Sequence, residues 1–148
     1  MPLRLKKVLA YITRRADDRR ELLVFTHRDF PGAGLQVPAG TVKDGEDVKK
    51  ALLREVAEET GLTSFAEVNE LGTYDYPHPV SGNVHERHVF HLEATSDLLE
   101  TWEWLETGGG EMPEEEGIVF VFRWANLRED IQLAGGQGDF LHLLQAQH

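Results

Sequence analysis

The chain has no cysteine among its 148 residues. That excludes a disulfide frame and thiol chemistry, and makes the cytoplasm the expected location. No apolar run approaches the ~20 residues needed to cross a bilayer, so no membrane partner is expected. Positive charge is scarce: 15 Lys plus Arg stand against 26 Asp plus Glu, a formal net charge of −11. This balance argues against long nucleic acids and anionic membranes as main partners, since both select positive surface. Small phosphorylated ligands stay open, because a bound divalent cation reverses the local field. Residues 1–15, MPLRLKKVLAYITRR, are basic but lack both a long apolar region and a small-residue cleavage site; they read as a strand, not a signal peptide. There is no internal repeat and no low-complexity linker. The length fits a single domain, residues 1–148, with a sizeable core.

What the chain does have is a crowded acidic helix. In residues 40–62, GTVKDGEDVKKALLREVAEETGL, residues 47–60 read as a helix whose apolar stripe runs through Val48, Ala51 and Leu52. At ~100° per residue that stripe continues to positions 55, 58 and 59, which hold Glu55, Glu58 and Glu59. Like charges three and four apart repel. Carboxylates this crowded share protons, face water or hold a cation, and three hard oxygen donors suit Mg²⁺, with Mn²⁺ as a substitute. Asp44 is the expected N-cap, and Gly61 sits where a left-handed residue ends a helix.

Along the rest of the chain, residues 3–14 and 21–27 read as a strand hairpin around a charged turn. Residues 35–37 read as a short strand ending at Pro38-Ala39-Gly40. Residues 66–76 and 85–94 read as strands separated by the turn-rich 77–83. Residues 95–110 suggest a strand fragment plus a loop, and 117–124 (GIVFVFRW) a strong strand. Residues 139–147 suggest an amphipathic helix capped by Asp139, with Phe140, Leu143 and Leu144 inward. The pattern implies an α/β (α+β) mixed sheet with helices.

The spacing Gly40, Glu46, then Arg54-Glu55-Val56-Ala57-Glu58-Glu59-Thr60-Gly61-Leu62 resembles the box of the Nudix (MutT-like) hydrolase family at every defined position. The resemblance implies that family's mixed sheet sandwiched between helices. It implies Mg²⁺-dependent hydrolysis of a nucleoside diphosphate linked to another moiety X, with a small nucleotide as substrate. By the family pattern Glu55, Glu58 and Glu59 are metal ligands. Glu55 or Glu58 is the alternative choice for the base, and Arg54 pairs with Glu46 to brace the loop against the helix. Gly40 lets the backbone approach the site. A further carboxylate from a later loop is expected: Glu114, Glu115 or Glu116, with Glu116 taken as the fourth ligand, or Glu111 or Glu93. Two alternatives stand beside this reading, a catalytically weak nucleotide-binding sensor and an RNA 5′-end pyrophosphohydrolase. The oligomeric state is open, a homodimer included.

Outside the box, Trp102 and Trp104 suit either base stacking or the packed face of an edge strand. Tyr74, Tyr76 and His78 are candidates to line a nucleotide pocket. Arg28, Lys43 and Arg87 are candidate phosphate contacts. His85, His88 and His91 share a strand, but alternation puts 88 on the opposite face, so they form no single metal cluster.

Overall fold

The structure, a computed structural model, describes residues 3–16, 18–95, 101–105 and 118–145. The expected hairpin is formed by β1 (Arg4–Ala16) and β2 (Arg19–His27), antiparallel from Thr13↔Leu22 to Ala16↔Arg19. Lower down, β1 exchanges partners. The short β3 (Ala39–Thr41) pairs antiparallel with Lys7–Leu9, while β5 (Val84–Ala94) runs parallel to Arg4–Thr13. The sheet is completed by β4 (Phe65–Pro77) outside β5, and by β7 (Val119–Asn126) then β6 (Thr101–Leu105) outside β2. One parallel pairing among antiparallel ones makes the sheet mixed, as expected.

The middle of β1 is VLAYI, a continuous apolar run that two-sided burial explains. Val8, Ala10 and Ile12 pack on one face with Ala51, Leu52 and Val56 of α1 (Val48–Thr60). Leu9 and Tyr11 pack on the other with Leu141 and with Leu144 of α2 (His142–Gln145). Helices therefore cover both faces of the sheet. Leu52 is fully buried, and a Leu→Ala truncation at such a site costs roughly 2–5 kcal/mol, so α1 is firmly docked.

Two helix details differ from the sequence reading. The N-cap is Asp47, not Asp44: the Asp47 side chain accepts from the Lys50 N–H at 3.2 Å. Residues 43–46 are instead closed as a turn by the Glu46 N–H donating to the Lys43 carbonyl at 2.9 Å, which delays the first helical turn. The second difference lies at the C-terminal end. Among the described residues the regular helix is His142–Gln145, and residues 138–144 are tied by i→i−3 bonds, including Leu141 N–H to Gly138 O and Leu144 N–H to Leu141 O, both 3.0 Å. Gly135, Gly136 and Gly138 are poor helix formers. The anchors are Leu141 and Leu144, while Phe140 is only partly buried, against Tyr74. Residues 146 and 147 lie outside the described residues. No helix of the described residues is long and apolar enough to cross a membrane.

Candidate active site

The acidic face of α1 is built around one guanidinium. Arg54 Nε donates to Glu46 Oε2 and Nη2 to Glu46 Oε1, both at 2.9 Å, a bidentate pair. Nη2 also donates to the Thr41 carbonyl at 3.0 Å, tying the helix to the end of β3. Nη1 bridges Glu55 Oε1 at 2.8 Å and Glu58 Oε2 at 3.3 Å. One cation thus holds three carboxylates that would otherwise repel. Glu59, on the buried side of the helix, turns to β3 and accepts the Ala39 N–H at 2.9 Å.

The electrostatics follow from these contacts. Arg54, helped by the Lys43 backbone N–H, pulls the Glu46 carboxyl down to about 2. Burial pushes Glu55 up, opposed by Arg54. Glu46 is thus committed to its ion pair, whereas the charge on Glu55 is the costly one.

Gly40 is a matter of space. A Cβ there would overlap Glu55 Cγ, Cδ and Oε2. At the far end of the helix, Gly61 takes the left-handed conformation (φ 82°) and donates to Ala57 O at 3.0 Å. Trp104 closes this end: its indole N–H donates to the Glu58 carbonyl at 2.9 Å, and its ring lies where a Gly61 Cβ would go. This brace was not visible in the sequence, because β6 and α1 are joined only through space. Trp102 stacks on Phe122 at 5.0 Å and 16°. Of the two readings for these tryptophans, packing of an edge strand is the one their contacts satisfy.

Glu111 and Glu114–116, with Glu116 the expected fourth ligand, fall outside the described residues. Glu93 is not brought to the helix: it pairs with Thr13, five residues along β1 from the Val8 opposite Gly40, or ~16 Å of strand. Arg28 is exposed and paired with Asp29 and Glu103, and Lys43 is exposed. Arg87 differs from both, being only 8% exposed. Tyr74 and Tyr76 gather around it, and His78 and His85 line the cavity beside it. His88 hydrogen-bonds Glu86 at 2.7 Å and His91 hydrogen-bonds Thr13 at 2.7 Å. Among the described residues no three His, Asp or Glu side chains already converge as a metal-holding group.

The NUDIX domain family model matches residues 4–144. An RNA pyrophosphohydrolase of Caulobacter vibrioides is 34% identical over 124 residues, 78% of this chain and 69% of that protein. Nudix hydrolase 25 of Arabidopsis thaliana is 42% identical over 66 residues, 43% of this chain but only 37% of that protein. Among solved structures, the NUDIX domain of Shewanella oneidensis NrtR, complexed with ADP ribose, has a TM-score of 0.71 at 16% identity, covering 99% of this chain and 88% of that one; at that identity the likeness concerns the fold. A box complete at every defined position, a mixed sheet between helices and a match over nearly the whole chain converge: this chain belongs to the Nudix hydrolase family, whose members act on pyrophosphate bonds.

Proposed function

We propose that residues 1–148 form one catalytic domain that hydrolyses the diphosphate bridge of a nucleoside diphosphate linked to a moiety X, with Mg²⁺ or, in its place, Mn²⁺. The observation that carries this reading is the Arg54-centred cluster of Glu46, Glu55 and Glu58, with Glu59 beside it on α1 and hydrogen-bonded to β3. Glu55, Glu58 and Glu59 supply hard oxygen donors, and the partial burial of Glu55 makes its charge costly without a cation. The donor chemistry therefore fits a divalent ion held by these three residues; Glu116, outside the described residues, is the fourth ligand we propose. Such an ion, when bound, neutralises diphosphate charge and lowers the pKa of an attacking water.

The chain's own residues do the rest. Arg54 keeps Glu55 and Glu58 a few ångströms apart despite their like charge. Glu46 fixes Arg54, and the Thr41 carbonyl fixes its height above β3. Gly40 leaves the volume that the Glu55 carboxylate fills. The alternative role for one of Glu55 and Glu58, in place of ligating the ion, is to take the proton of the water that attacks one phosphorus, while the neighbouring phosphate leaves with the bridging oxygen.

A panel of ADP-ribose, dinucleoside polyphosphates, nucleotide sugars and nucleoside di- and triphosphates tests this with Mg²⁺ or Mn²⁺. At least one member should turn over, and Glu58→Gln and Glu59→Gln should each lose about 100-fold or more in kcat while melting normally. Full activity in both variants refutes their role as ligands; no turnover of any member favours a nucleotide-binding sensor. The likeness to the Caulobacter RNA pyrophosphohydrolase supports a second reading, removal of pyrophosphate from RNA 5′ ends. Triphosphorylated and capped RNA belong in the same panel.

A further inference from the structure

Across β3 from the carboxylates lies an open cavity of about 240 Å³, lined by Lys7, Val8, Leu9, Ala39, Gly40, His78, His85 and Arg87. Ala39 and Gly40 are the two residues whose backbone meets Glu59 and Glu55, so the cavity adjoins the proposed metal-binding face. Among the described residues its ionisable lining is entirely basic, in a chain of net charge −11. A whole drug-sized ligand fills roughly 300–1,000 Å³; this cavity falls just short of that range and has room for a phosphate group and its water.

Arg87 is the fixed point of the cavity. Its Nη1 donates to Tyr74 Oη at 3.0 Å and to the Gly135 carbonyl at 2.7 Å, and its guanidinium lies 3.9 Å over the Tyr76 ring. Tyr74 in turn donates to the Gly136 carbonyl at 2.8 Å, and Tyr11 donates to the Gln137 carbonyl. These bonds hold the 135–137 loop and immobilise Arg87 before any ligand arrives. Yet none of the described carboxylates lies within ion-pair distance of Arg87, and both neutral acceptors are taken by one of its nitrogens. Among the described residues Nε and Nη2 have no acceptor and are left as donors. His78 accepts the Val80 and Ser81 N–H groups at Nδ1, both at 3.2 Å, so its neutral ring carries the proton on Nε2. Lys7 adds an ammonium, donating to Thr41 Oγ1 at 2.6 Å. A buried, pre-oriented guanidinium with three N–H donors to spare calls for an anion with several acceptor oxygens.

We propose that this cavity is a phosphate subsite, in which Arg87, assisted by Lys7, His78 and His85, binds a phosphate of the substrate beyond the diphosphate held at the carboxylates. This rests on the pyrophosphohydrolase reading and refines it: substrates with three or more consecutive phosphates are preferred over diphosphates capped by a neutral sugar. With a neutral group in the cavity Arg87 stays unpaired; with a phosphate it is paired.

Two measurements test the proposal. In the presence of EDTA, inorganic triphosphate titrated into the wild-type protein should bind and shift the Arg87 Nε–H resonance; binding should weaken roughly 10–100-fold in Arg87→Gln and survive in Glu58→Gln. In hydrolysis, Arg87→Gln should raise KM for a nucleoside triphosphate by a similar factor while leaving KM for ADP-ribose within about twofold. Absence of metal-free binding, equal binding by wild type and Arg87→Gln, or an equal rise in KM for both substrates overturns the subsite. If Arg87→Gln does not fold, the wild-type resonance decides alone: a triphosphate that leaves Nε–H unmoved refutes the assignment. Loss of the pyrophosphohydrolase reading looks different, because inactivity toward the whole panel leaves the metal-free titration intact.

Discussion

Replacing Gly40 by Ala separates catalysis from stability. Gly40 is absent from the glycines with positive φ, so alanine suits its backbone. Such a Gly→Ala change contributes about 0.4–1 kcal/mol by restricting the unfolded chain. Against this, the new methyl overlaps the end of Glu55. Carbon atoms want ~3.5–4.0 Å, so the carboxylate must swing away by on the order of 1 Å or more. Glu55 is a long side chain and can yield, at about 0.5–1.5 kcal/mol of rotamer strain plus about 1 kcal/mol for its bond to Arg54 Nη1. The net destabilisation is about 0.5–2 kcal/mol, a few degrees in Tm. A misplacement of ~1 Å at a reacting centre costs about 100-fold in rate, or ~2.7 kcal/mol in barrier. Gly32→Ala, where a Cβ meets nothing within 4 Å, is the control, expected neutral in both respects. The assay is a thermal melt beside kcat on the best substrate of the panel. Wild-type kcat in Gly40→Ala would show that the position of Glu55 is immaterial; collapse of the fold, by more than about 4 kcal/mol, would show that Glu55 could not yield.

Arg54→Ala strands Glu46, Glu55 and Glu58 together, and should cost about 2–4 kcal/mol in urea unfolding as well as most activity; unchanged stability would deny that Arg54 holds the cluster. His91 is buried against Thr13 and Arg20, and its pKa is lowered, first by burial and then by Arg20. The unfolded chain, titrating near 6.5, then binds the proton more readily than the folded one, so stability is full above that value and falls as pH drops toward the folded pKa. His91→Gln should flatten Tm between pH 7.5 and 5, and an unchanged slope there would assign the acid sensitivity elsewhere; Glu46, depressed to about 2, loses its contribution only below the ordinary carboxylate range.

What the sequence made legible was local. Capping, the apolar stripe Val48–Ala51–Leu52 and Gly61 lie within one helix, and each acts through neighbours three or four residues away. Even there, Asp44 and Asp47 are equivalent as caps by composition, and only the turn at residues 43–46 decides between them. The C-terminal helix starts later than the periodicity of its leucines suggests, at His142 and not at Asp139, because three glycines precede it. What stayed hidden depends on strand pairing. Trp104 reaches Glu58 across 46 residues. Arg87 looked like Arg28 and Lys43 in the sequence, and differs because the parallel β1–β5 register sets it opposite Lys7 while the 135–137 loop folds over it.

That register also explains why so short a strand as β3 matters. Alternation sends Gly40 toward Glu55, and Ala39 and Thr41 to the opposite face, where Ala39 packs beside Leu9 and Thr41 accepts from Lys7. Three residues thus separate a patch of carboxylates from a patch of cations. Neither patch suits a diphosphate alone: the first repels it without a metal ion, and the second offers charge but no means of activating water. A substrate lying over β3 meets both, with its attacked phosphorus on the carboxylate side and its remaining negative charge on the side of Arg87. The acidic bulk of the chain then works for selectivity, since an anion gains by entering only where the guanidinium and a bound cation locally reverse the field. Raising ionic strength should therefore weaken triphosphate binding less than it would for an exposed basic patch, because the principal charge that holds it, the Arg87 guanidinium, is buried.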